Sequence, residues 1–82
     1  MLKRQPVAVQ DVYVPVKRRQ TLDPKKVEAL AESILAKGLD APILVRPDDK
    51  RFVLVEGLHR LEACKALGES TVPAYLVHAR QH

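Results

Sequence analysis

Groups able to do chemistry concentrate at Glu56-Gly57-Leu58-His59-Arg60, where a carboxylate, a glycine, an imidazole and a guanidinium fall within one short stretch. The apolar run Phe52-Val53-Leu54-Val55 precedes them and suits a strand; a helical pattern follows and closes on Gly68. Glycine lets the backbone turn sharply and lets a ligand approach with no Cβ in the way. A helix starting just behind it points unpaired N–H groups and its positive dipole end back at the turn, which favours an anion. His59 and Arg60, on the first helical turn, would add side-chain donors matched to phosphate oxygens. This is the layout of a phosphate-binding corner. The same strand–glycine–helix junction also occurs with no ligand, so the corner needs support from the rest of the chain.

Charge supplies some of that support. The 82 residues carry a formal net charge of +4. Residues 1–26 hold seven basic and two acidic side chains, and the remainder is nearly balanced. The excess points to an anionic partner, nucleotide or nucleic acid. Lys17, Arg18, Arg19 and Lys25 form a candidate patch for DNA or another anion; the alternative is a solubilising face. Lys26 would sit at a helix start, where a cation opposes the dipole, and an anionic ligand nearby would offset that. Glu56 is a candidate catalytic base or Mg²⁺ holder for phosphoryl transfer, set against a plain strand-end carboxylate. No CxxC, HExxH or Ser-His-Asp arrangement occurs, and His78 and His82 lack metal-ligand spacing, so no metal site is expected. The single cysteine, Cys64, excludes an internal disulfide, and its spacing from Leu61 and Leu67 reads as core.

The elements that must position these groups follow from patterning. Residues 1–6 read as a frayed leader, and Val7 to Val14 alternates as a strand ended by Pro15. Lys17 to Thr21 is a basic loop. Asp23 is a good N-cap and Pro24 suits the first helical position. Val27, Leu30, Ala31, Ile34 and Leu35 then recur at helical spacing, and Gly38 closes a helix over 24–37 as a left-handed residue. Ala41–Arg46 and Phe52–Val55 are strands joined by a tight turn at Pro47-Asp48-Asp49-Lys50. A helix over about 58–67 buries Leu61, Cys64 and Leu67. Thr71–Val77 is a last strand, which Pro73 pushes toward a sheet edge or an irregular start. The order β-α-β-β-α-β predicts an α+β fold, a small mixed sheet with two main helices packed on it. Residues 1–82 form one domain in this reading. No segment reaches the roughly 20 apolar residues of a membrane span, and no signal-peptide pattern opens the chain, so a soluble cytoplasmic protein is expected.

Several motifs, taken together and in order, resemble the ParB/sulfiredoxin superfamily. Leu30 to Leu39 followed by Pro42-Ile43-Leu44-Val45-Arg46 is similar to the LAxSIxxxGxxxPIxVR segment of ParB N-terminal domains. Val55 to Gly68 is similar to their GERRxRAxxxAG box, and Thr71-Val72-Pro73-Ala74 to the strand behind it. Gly57-Leu58-His59-Arg60 is closer to the sulfiredoxin GCHR signature, and Leu22 to Val27 resembles the sulfiredoxin LDPxKV stretch. The resemblance implies ATP or CTP as ligand, with Mg²⁺ as an optional companion, held by Lys26, Ser33, Gly57, His59 and Arg60. It also departs from the pattern. The sulfiredoxin catalytic cysteine falls on Leu58, so reduction of a sulfinic acid is not expected. Full partition proteins add a DNA-reading helix-turn-helix domain and a dimerisation tail, and neither is present in these residues.

Three functions stay open on the sequence. The first is a nucleotide-binding module in plasmid or chromosome partition or DNA-linked regulation. It would work with DNA through phosphate contacts, with a partner protein or with a second copy, and away from membranes. The second is an ATP-using enzyme: a phosphotransferase, an NTPase or a ParB-like nuclease. The third is a protein-interaction domain with a vestigial pocket. Lack of an evident nucleophile, metal cluster or strong base favours binding over catalysis.

Overall fold

The computed structural model describes residues 3–38 and 41–78. Five strands, Arg4–Ala8 (β1), Val12–Tyr13 (β2), Ile43–Asp48 (β3), Arg51–Glu56 (β4) and Thr71–Leu76 (β5), form one mixed sheet in the order β1-β5-β3-β4-β2. Three helices accompany it: Val16–Arg19 (α1), Pro24–Lys37 (α2) and Leu58–Ala66 (α3). The α+β class and the two main helices agree with the sequence reading.

The expected first strand is split. A 3-10 turn at Val9–Asp11 separates β1, antiparallel to β5, from β2, parallel to β4 on the opposite edge. The four residues from Ala8 to Val12 can reach at most about 14 Å. The outer strands of a flat five-stranded sheet would lie about 19 Å apart. The sheet must therefore curl so that its two edges approach each other. Residues 4–6 are not a frayed leader, because Arg4, Gln5 and Pro6 pair with Tyr75, Ala74 and Pro73. Met1 and Leu2 lie outside the described residues.

Pro73 does not place β5 on an edge, since β5 runs between β1 and β3. Pro6 stands opposite Pro73, and pairing with β3 begins one residue later, at Ala74 with Ile43. The missing N–H groups thus fall where the ladder does not need them. The β3–β4 hairpin turns at Asp49-Lys50, with Asp49 at φ 58°, a left-handed conformation that aspartate tolerates better than most residues. The expected basic loop contains the short helix α1.

The concave face of the sheet holds α3. Leu58, Leu61 and Cys64 pack with Val7, Val12, Val14, Ile43, Val45, Leu54, Val72 and Ala74 in an aliphatic core. Cys64 is buried there, as its spacing predicts, and burial pushes its thiol pKa up from the ordinary 9.0, with the Glu69 carboxylate adding to the rise. Leu67 caps the helix half-buried.

α2 begins and ends where expected, capped by the Asp23 side chain accepting from the Lys25 N–H at 3.0 Å. It packs against α3. None of its residues is buried; Val27, Leu30, Ala31 and Ile34 are half-buried, and Leu35, expected to face inward, is 74% exposed. Gly38 has φ 80° but ψ 166°, a positive-φ turn with extended ψ rather than the left-handed helical residue expected.

Candidate functional site

Strand β4 delivers the chain to Gly57 at the mouth of the curled sheet. Gly57 adopts φ 109°, and a Cβ built there would lie 2.7 Å from Ile43 Cγ2. Both its conformation and its contact with the fully buried Ile43 require glycine. α3 starts at the next residue with no side-chain cap. Its first helical hydrogen bond runs from the Leu61 N–H to the Gly57 carbonyl at 2.9 Å, so the N–H groups of Leu58, His59 and Arg60 have no intrahelical acceptor.

His59 links the two main helices. Its Nε2 accepts a hydrogen bond from the Asp23 backbone N–H at 3.1 Å, tying the first turn of α3 to the residue that caps α2. That assigns the ring proton to Nδ1 and leaves one side-chain donor, where the sequence reading treated His59 simply as a phosphate donor.

Two adjoining grooves open around this link. Lys26, Ala29, Leu30, Ser33 and His59 line the first, which runs along α2 and is mostly apolar. Arg18, Thr21, Leu30, Gly57, Leu58, His59 and Arg60 line the second, at the start of α3. Leu30 and His59 belong to both, so the grooves run into one another. All five residues assigned to nucleotide and phosphate, Lys26, Ser33, Gly57, His59 and Arg60, border this continuous depression. Glu56 is exposed at the end of β4 and lines neither groove.

Among the described residues, Arg18, Lys26 and Arg60 have no carboxylate within ion-pair distance; the pairs formed are Arg51 with Asp48 and Lys65 with Glu62, each at 3.3 Å. Glu62, a conceivable partner for Arg60, is thus engaged elsewhere. Among the described residues the depression therefore presents three cations without an ion pair beside helix N–H groups that lack an intrahelical acceptor, and no carboxylate lines it. A site so built attracts anions and, among the described residues, offers no carboxylate to a divalent cation. No cluster of three metal-ligating side chains stands together among the described residues.

The basic patch divides. Arg19 donates through Nε to the Val14 carbonyl at 3.0 Å and its guanidinium lies 5.9 Å from the Tyr13 ring centroid, so it fastens α1 to β2. Lys17 and Lys25 are exposed. Arg18, grouped with them in the sequence, turns out to line the groove. Thr21, Ala29 and Leu30 are further lining residues that the sequence did not single out. The local basic run marks Arg18 only as part of an anion patch, and nothing local places it or Thr21 in the groove, because they meet Gly57 to Arg60 only through the tertiary fold.

The model of the ParB N-terminal domain family matches residues 3–82. A probable chromosome-partitioning protein ParB of Campylobacter jejuni is 37% identical over 62 residues, covering 76% of this chain and 22% of that protein. The chain spans about a fifth of the length of the curated relatives it matches. Among solved structures, sulfiredoxin from Arabidopsis thaliana superposes with a TM-score of 0.83 at 28% identity, covering 94% of this chain and 86% of that one. C-terminally truncated ParB from Caulobacter crescentus, solved in complex with CTP-gamma-S, gives 0.82 at 28% identity, covering 96% of this chain and 46% of that one.

Proposed function

The chain belongs to the ParB N-terminal domain family, and from that premise we propose that it is a nucleotide-binding module acting in DNA partition. The observation that carries the proposal is the depression between α2 and α3, where Arg18, Lys26 and Arg60 have no ion pair among the described residues and stand beside the capless start of α3. Arg60 and the N–H groups of Leu58, His59 and Arg60 would hold phosphate oxygens. The apolar groove along α2, with Ser33 and Lys26 at its polar points, would take the nucleoside. Residues 1–82 act as one binding unit in this reading, in the cytoplasm. ATP and CTP are the candidate ligands, and CTP gains support from the CTP-gamma-S complex of the Caulobacter protein. Mg²⁺, where it accompanies the nucleotide, would ride on the phosphates. DNA, a partner protein or a second copy of the chain would answer to the bound state.

Binding is favoured over catalysis because Glu56 borders neither groove. Sulfinic acid reduction is disfavoured because Leu58 occupies the corner and the Cys64 thiol is sealed in the core. Calorimetric titration with ATP, CTP and GTP, each with Mg²⁺, tests the proposal. At least one should bind saturably at one site per chain. Failure of all three to saturate at millimolar concentration would leave the interaction-domain reading in its place.

A further inference from the structure

α2 rests on α3 without a single buried residue of its own. One polar contact ties it down: the Asp23 backbone N–H donates to His59 Nε2 at 3.1 Å. Among the described residues, no other hydrogen bond and no ion pair joins the segment from Asp23 to Lys37 to α3. His59 itself is half-buried on the first turn of α3, which Leu58, Leu61, Ala63 and Cys64 anchor in the core. The bond therefore joins a firmly held helix to a loosely held one.

An imidazole nitrogen accepts a hydrogen bond only while it carries no proton; in the imidazolium form both nitrogens are donors. A second proton on His59 would set Nε2–H against the Asp23 N–H, donor facing donor. We infer that His59 is a proton-operated latch: neutral, it holds the start of α2 to the start of α3, and protonated, it releases that end of α2. The support it lends α2 is complete while the ring is neutral. That support is lost as pH falls through the range, roughly 8 to 5, in which histidine takes up its proton. The charged groups around the ring are Arg18 from α1, Lys26 from α2 and Arg60 beside it on α3, all bordering its grooves, and Asp23, whose Oδ1 is taken by the Lys25 N–H. Glu56, exposed at the end of β4, lines neither groove. Lysine, arginine and carboxylate side chains ordinarily keep their charge across that range, so histidine is the residue type at this junction whose charge changes there. The latch works in the nucleotide-free chain and does not depend on the nucleotide reading.

Hydrogen exchange of the nucleotide-free chain at about pH 7.5 and about pH 5.5, corrected for the intrinsic rate at each, tests the latch. Protection of the α2 amides should fall roughly 2- to 10-fold at the lower pH, the net worth of one hydrogen bond, while α3 stays within about twofold. His59→Gln puts an amide oxygen, an acceptor that does not titrate, near the place of Nε2 and should hold α2 protection level between the two conditions. His59→Ala should show at both the low protection that the wild type shows only in acid. Nitrogen chemical shifts of the His59 ring should report Nε2 bare at the higher pH and protonated at the lower. Wild-type α2 protection that does not change with pH, an equal fall in α3, or a fall that persists in His59→Gln would each overturn the latch. Should His59→Gln fail to fold, the ring shifts decide: a proton on Nε2 at the higher pH overturns the proposal.

Discussion

At the scale of single residues, Gly57 and Arg60 divide the work at the corner. Gly57 is required by shape: its φ of 109° is rare for any residue with a side chain, and an alanine methyl would press on Ile43 at 2.7 Å. Gly57→Ala should therefore cost at least about 2 kcal/mol, combining backbone strain with overpacking, as read from urea denaturation. Stability equal to wild type would mean that the turn has room the geometry denies. Arg60 contributes charge to the corner. It is half-buried and unpaired among the described residues, so Arg60→Ala should leave the unfolding midpoint nearly unchanged while weakening nucleotide binding by about 1.5–3 kcal/mol. A variant that unfolds instead would make Arg60 structural.

At the scale of elements, the two main helices differ in how they are held. α3 is anchored by four buried residues, whereas α2 buries none and depends on half-buried packing, its Asp23 cap and the clip from Asp23 to His59. Hydrogen exchange should accordingly be faster in α2 than in α3, since opening free energy follows buried contacts. His59→Ala should accelerate α2 further and cost about 0.5–1.5 kcal/mol, the net worth of one hydrogen bond. Unaltered α2 exchange in that variant would show the clip to be idle. The bounds of α2 were legible because Asp23, Pro24 and Gly38 mark them chemically. Its depth was not, because periodicity names the inward face and not the distance to the core, and so Leu35 was misplaced. The split first strand left a trace: Val7 and Val9 occupy odd positions, Val12 and Val14 even ones, and the phase breaks at Gln10-Asp11 where the 3-10 turn falls. The setting of Arg18 left none, since its groove partners lie about forty residues away.

At the scale of the whole molecule, the charge asymmetry of the first third resolves into distinct duties. Of the five cations from Lys17 to Lys26, Arg19 holds α1 in place, and Arg18 and Lys26 border the depression between α2 and α3. Lys17 and Lys25 remain for an external anion. Duplex DNA binding by the nucleotide-loaded chain should then be weak, with a log–log salt slope near −2, about 0.9 per phosphate neutralised. A salt-insensitive, sequence-selective complex would require base readout from an element identified here as core or groove. Whether a nucleotide occupies the depression between α2 and α3 is read from amide chemical shifts followed through a titration with CTP or ATP. Saturable shifts should cluster at Gly57, Leu58, His59 and Arg60 and extend to Lys26 and Ser33. Shifts confined to other parts of the chain, or none at millimolar nucleotide, would contradict that occupancy.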